Sequence, residues 1–125
     1  MTDKSLEFFK LANYIGGTAL ILLGIFGFIP AITPNNHVFG IFMVDGEHNI
    51  IHIIIGSIMW IAGLWTNRFT IYLILLIGFA FLGLSMFGFF SQKSIGSFNT
   101  ADNLLHLGIS LFSLFQGWLV SKVSE

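Results

Sequence analysis

Four long apolar runs divide the chain, and its polar residues gather in short clusters between them. The runs cover about residues 12–29, 48–66, 69–91 and 102–121. Each is close to the roughly 20 residues with which an α-helix crosses the hydrocarbon core of a bilayer. Helix is the expected form, because four spans are too few for a closed barrel and lipid forbids open strand edges. Pro30 stops the first run, Asn67-Arg68 follows the second, and Asp102 opens the fourth. Between the second and third runs stands only the tight polar turn Thr66-Asn67-Arg68. The long connection 30–47 is different. Pro30, Pro34 and Asn35-Asn36 carry turn chemistry, and "HVFGIFMV" after them is apolar and β-prone but too short to cross. It is expected to lie over the outer end of the helices as an interfacial hairpin or partial re-entrant cap. The connection "SQKSIGSFNTA" at 91–101 is shorter and polar.

Composition turns this pattern into a statement about solvent. The chain has 125 residues, enough for a single domain over 1–125; it is 55% hydrophobic and 9% charged, with 15 phenylalanines and a mean hydropathy of +0.89. A soluble domain carries roughly 25% charged residues. So small a protein has too much surface for its volume to hide this much hydrocarbon from water. Lipid is therefore its expected surrounding. The first ten residues, "MTDKSLEFFK", hold two acids and two lysines, unlike the basic start of a signal peptide, so the first run reads as a retained membrane helix. Lys4, Lys10, Arg68 and Lys122 fall on one side and Lys93 on the other. The positive-inside rule then places both termini in the cytoplasm.

Charge and cysteine content remove several functions. A net charge of −1 gives no footprint for nucleic acid, and the absence of cysteine excludes disulfides, thiolate metal sites and a cysteine nucleophile. No nucleophile elbow and no glycine-rich phosphate loop is present, so no enzymatic activity is expected.

The polar residues at the outer helix starts repeat. "VDGEHNIIHIIIG" from Val44 aligns with "FNTADNLLHLGIS" from Phe98 at an offset of 54 residues. His48 falls on Asp102, Asn49 on Asn103, and His52 on His106. At the same offset "LILLGIFGF" matches "ILLIGFAFL", with Gly24 on Gly78. The expected fold is an all-α integral membrane four-helix bundle of two parallel-repeat helical hairpins, related by a pseudo-twofold axis along the membrane normal. Residues four apart share one helix face. His48 and His52 share a face of the second span, Asp102 and His106 a face of the fourth, and the axis would bring the two faces together. Ser110, Ser113 and Gly117 continue the fourth-span stripe, and Gly56, Met59 and Gly63 the second.

Ionisable residues within a span are costly and usually face the interior. Three readings of the cluster stand open. The first is interhelical hydrogen-bond glue. In the second, His48, His52, Asp102 and His106 surround a transition-metal ion such as zinc, or His52 and His106 act as axial ligands of haem or a chlorophyll-type tetrapyrrole. The third is a protonation switch. Asp102 in "NTADN" also reads as a first-turn acid behind a cap at Asn99 or Thr100, and His37 reads as a solvated loop histidine. If the cluster is glue, the protein is a structural accessory subunit of a larger membrane complex. A second copy of the chain or such a complex is the expected partner besides the bilayer.

The runs "GIFGFIP", "VFGIFMVDGEHNIIHIIIG" and "ADNLLHLGIS" are similar to small bacterial four-helix membrane proteins grouped as domain of unknown function 4383. The resemblance extends from about Gly16 to Trp118. It implies four spans and a bacterial membrane location. It names no activity, and it favours a shared role for His52, Asp102 and His106.

Overall fold

The computed structural model describes residues 3–90 and 99–123. All four expected spans are helices: α1 (Asp3–Phe26), α2 (Gly46–Leu64), α3 (Arg68–Phe90) and α4 (Thr100–Val123). Each is long and apolar enough to cross a membrane. The fold is all-α, and the four helices form two hairpins. α1 packs chiefly on α2 and α3 on α4, while α1–α4 and α2–α3 contacts between the hairpins are sparser. The connection carrying Lys93 lies outside the described residues.

Helix α1 begins well ahead of the first apolar run because its polar start carries an anchor. Phe9 is fully buried there, followed by Ala12 and Asn13. α1 ends at Phe26, before Pro30. The hydroxyl of Thr33 donates to the carbonyls of Ile29 (2.7 Å) and Phe26 (3.0 Å), covering acceptors that the helix end leaves open. Two 3-10 turns, Pro30–Ile32 and Pro34–Asn36, lead into a short antiparallel hairpin. Its strands are β1 (His37–Val38) and β2 (Phe42–Met43), with Val38 opposite Phe42. Phe39 and Gly40 both take left-handed backbone at the tip (φ 54° and 70°), and the Ile41 amide closes on the Val38 carbonyl at 3.0 Å. Two successive positive φ values match the right-handed twist of paired strands, which is where a glycine helps most. The Phe39 ring meets Phe26 edge-on at 5.8 Å, tying the tip to the end of α1.

The turn from α2 to α3 is stapled reciprocally. The Thr70 amide donates to Asn67 Oδ1 (3.0 Å), and the Asn67 amide donates to Thr70 Oγ1 (2.9 Å). Two amides of a helix start are thereby satisfied.

Small residues set the helix spacing within each hairpin. A Cβ on Gly17 would lie 2.6 Å from the Gly56 carbonyl oxygen, and one on Gly56 would lie 2.6 Å from that of Gly17. The α1 and α2 backbones therefore touch, the arrangement that small residues permit between membrane helices. In the second hairpin Gly117 receives Leu75 and Gly78 receives Leu114. The apolar core is small: Phe9, Leu20, Met59, Ala62, Ile71, Ile74, Ile77, Phe81 and Val120. Much of the rest of the interior is polar.

Candidate metal centre

Helix α2 starts with Asp45 as its cap, whose side chain accepts from the His48 amide at 2.7 Å. That cap fixes the first turn, and His48 and His52 follow on one face. Their ring centroids are 4.2 Å apart. Helix α4 starts with a reciprocal cap. The Asp102 amide donates to Asn99 Oδ1 (2.9 Å), and the Asn99 amide donates to Asp102 Oδ2 (2.9 Å). His106 lies one turn further on the same face as Asp102.

The two helix starts bring the three imidazoles together. The His106 centroid lies 5.8 Å from His48 and 6.2 Å from His52. Each histidine offers a ring nitrogen such that the three nitrogens lie within 4.8 Å of one another. All three side chains are buried, His52 and His106 with only 1% of their surface exposed. Phe81 of α3 covers one side, its ring centroid 5.3 Å from that of His106. Both ring nitrogens of His52 are buried without a hydrogen-bond partner among the described residues. An imidazole N–H left so in an apolar interior costs on the order of 2 kcal/mol or more. The sequence pattern of two helix turns separated by half the chain thus marks three side chains that meet.

Asp102, the fourth residue of the expected metal set, is not among the three whose ligand atoms converge, and it serves a different purpose. Its Oδ2 accepts from the Asn99 amide and from the Met43 amide (3.1 Å), so it caps α4 and holds β2 against it. Asn99 adds a second tie, donating from Nδ2 to the Ile41 carbonyl at 2.8 Å. Asp102 is fully buried, and its Oδ1 accepts no hydrogen bond among the described residues. His37 is half-buried in β1 and donates from Nδ1 to the Asn35 carbonyl.

Below the histidines the α4 stripe stays polar. Ser110, Ser113 and Gln116 are fully buried, and Gln116 Oε1 accepts from Asn13 Nδ2 of α1 at 2.9 Å. Asn13 Nδ2 also donates to the Phe9 carbonyl. Sequence reading misses this inter-hairpin pair. Its one signal is that Asn13 is the single amide in the first apolar run.

Residues 10–119 match the family described as a domain of unknown function (DUF4383). The chain belongs to the DUF4383 family. The match takes in both histidine-bearing helix starts of this DUF4383 chain and the hairpin between α1 and α2. No curated protein and no solved structure matches this DUF4383 member.

Proposed function

We propose that this small membrane protein is a binding protein rather than an enzyme, and that His48, His52 and His106 hold a single transition-metal ion at the outer end of the bundle. The observation that carries the reading is the convergence of three buried imidazoles, with both nitrogens of His52 lacking hydrogen bonds among the described residues. Zinc binds imidazole nitrogen at about 2.0–2.1 Å, so two nitrogens on a tetrahedral ion stand about 3.3 Å apart. Nitrogens already within 4.8 Å reach that spacing by small side-chain rotations. Three nitrogen ligands leave a fourth position for a small exchangeable ligand. A tetrapyrrole fits less well. Its ring would have to stand between His52 and His106, yet the His48 ring is 4.2 Å from one and 5.8 Å from the other.

The repeat supports a site built from equivalent positions. Gly27 closes on Asn49 in the first hairpin, and Gly88 closes on Asn103 in the second. Gly63 closes on Tyr14, and Gly117 on Leu75. On this reading α2 and α4 correspond at the offset of 54 residues, while α1 and α3 correspond at 61. Gly17, not Gly24, then becomes the equivalent of Gly78. The extra seven residues belong to the first outer connection, where the β1–β2 hairpin lies. The excess of basic residues at the opposite helix ends supports an orientation with both termini in the cytoplasm.

The test is metal titration of the purified protein in detergent, using Co²⁺ as a visible probe and Zn²⁺ as competitor. One ion per chain is expected, with tetrahedral d–d absorption that Zn²⁺ abolishes. His52→Ala and His106→Ala each remove that absorption. A folded wild type that takes up no stoichiometric metal refutes the site. The histidines are then interhelical glue, a role that the Asn13–Gln116 pair already illustrates.

A further inference from the structure

A cleft of about 520 Å³ opens between α3 and α4 at the helix ends far from the histidines. It forms because the two helices are antiparallel, so the first residue of α3 meets the last turn of α4. Arg68 and Lys122 stand at its rim, Tyr72 and Trp118 on its walls, and Ile71 and Leu75 on its floor. Two cations share this space, and among the described residues no acidic side chain lines it. The Lys122 ammonium lies 5.4 Å over the Trp118 ring, a cation–π contact that holds the amine at the cleft. Tyr72 and Trp118 are both exposed, as side chains with an apolar body and a polar tip are at a membrane–water boundary. The floor runs inward: Ile71 is buried, and Leu75 seats against Gly117, where a Cβ would come within 2.6 Å of it. From the rim, the exposed Leu76 and Phe79 continue along α3 toward the middle of the span.

We propose that this cleft is a binding site for one anionic phospholipid, its phosphate between Arg68 and Lys122, its glycerol backbone against Tyr72 and Trp118, and an acyl chain along the α3 surface. Paired cations call for an anion. The adjoining aromatic walls and apolar floor call for an amphiphile rather than a free ion. Basic pockets between membrane helices have the chemistry to hold lipid head groups, each basic residue near the surface favouring an anionic lipid by about fivefold. The arginine contributes a planar fork that pairs with two phosphate oxygens, and the lysine a point charge.

The experiment counts lipids retained by the full-length protein released from detergent micelles in a native mass spectrometer. Phosphatidylglycerol and phosphatidylcholine of identical chains are compared. One phosphatidylglycerol per chain is expected, retained about tenfold to thirtyfold better than phosphatidylcholine. The preference should shrink at high ionic strength in the wild type, a readout that needs no variant. It should vanish in the Arg68→Gln/Lys122→Gln double variant and survive in Arg68→Lys/Lys122→Arg. Both side chains are exposed at helix ends, so neither pair of changes touches the core. His52→Ala should leave the preference intact, which separates this site from the metal site. Equal retention of the two lipids overturns the proposal, as does a preference that the double glutamine variant keeps. Displacement of the lipid by millimolar inorganic phosphate overturns it in favour of a soluble-anion site.

Discussion

A methyl group added at Gly17 or Gly56 has nowhere to go. In each case the obstacle at 2.6 Å is a carbonyl oxygen of the facing helix, and backbone cannot rotate aside as a side chain can. Gly83 and Gly108 face open space, with nothing among the described residues within 4 Å of the added carbon. Gly17→Ala and Gly56→Ala should therefore each lower stability by about 1–3 kcal/mol, the usual cost of overpacking. Gly83→Ala and Gly108→Ala should be neutral or stabilising by up to about 1 kcal/mol through helix propensity. Thermal unfolding of the four variants in one detergent checks this, and equal effects at all four positions would deny the backbone contact. At this scale the sequence is informative where spacing carries the message. His48 and His52 four apart, matched by Asp102 and His106, announce faces that can be read without coordinates. It is silent where the partner is remote: nothing local to Asn13 tells that its amide meets Gln116, 103 residues away.

Among the elements, the helices follow from the apolar runs and the hairpin before α2 follows only partly. Turn residues and an apolar β-prone stretch mark the place of β1 and β2, but two-residue strands cannot hold themselves together in water or at an interface. Besides the Phe26–Phe39 contact with α1, what holds them is α4. Asp102 Oδ2 accepts from Met43, and Asn99 donates to Ile41, so the start of one helix doubles as the clamp for a distant loop. The sequence shows Asp102 as a first-turn acid, and does not show its second partner, because that partner comes from another hairpin. Asp102→Ala should remove both acceptances by Oδ2, costing about 1 kcal/mol as a lost helix cap and releasing β2 as well. Asp102→Asn retains an acceptor oxygen and should cost less. Hydrogen exchange reads the difference directly: the Met43 and Asn99 amides should exchange faster in Asp102→Ala, while amides in the middle of α2 stay as in the wild type. Unchanged protection at Met43 would show that the hairpin is held without the carboxylate.

For the whole molecule, the decisive feature is that the strongest packing lies within hairpins and the sparser packing between them. Glycine contacts bring α1 against α2 and α3 against α4, while the Asn13–Gln116 pair and the histidine cluster join one hairpin to the other. The cluster takes two ligands from α2 and one from α4, so an ion bound there would be a cross-link across the sparser seam. A ligand that binds only the folded state adds stability as RT ln(1 + [L]/Kd), about 2.7 kcal/mol at a hundredfold excess over Kd. For a chain of this length that corresponds to a rise in Tm of about 10 °C. Zn²⁺ should produce it in the wild type, and Mg²⁺, which prefers oxygen ligands in octahedral array, should not. His106→Ala should abolish the rise, because it removes the one imidazole that α4 contributes among the described residues. His48→Ala leaves one imidazole on each side of the seam and should retain part of it. If zinc raises Tm equally in wild type and in His106→Ala, the ion acts elsewhere, and the histidines do not join the hairpins through a metal.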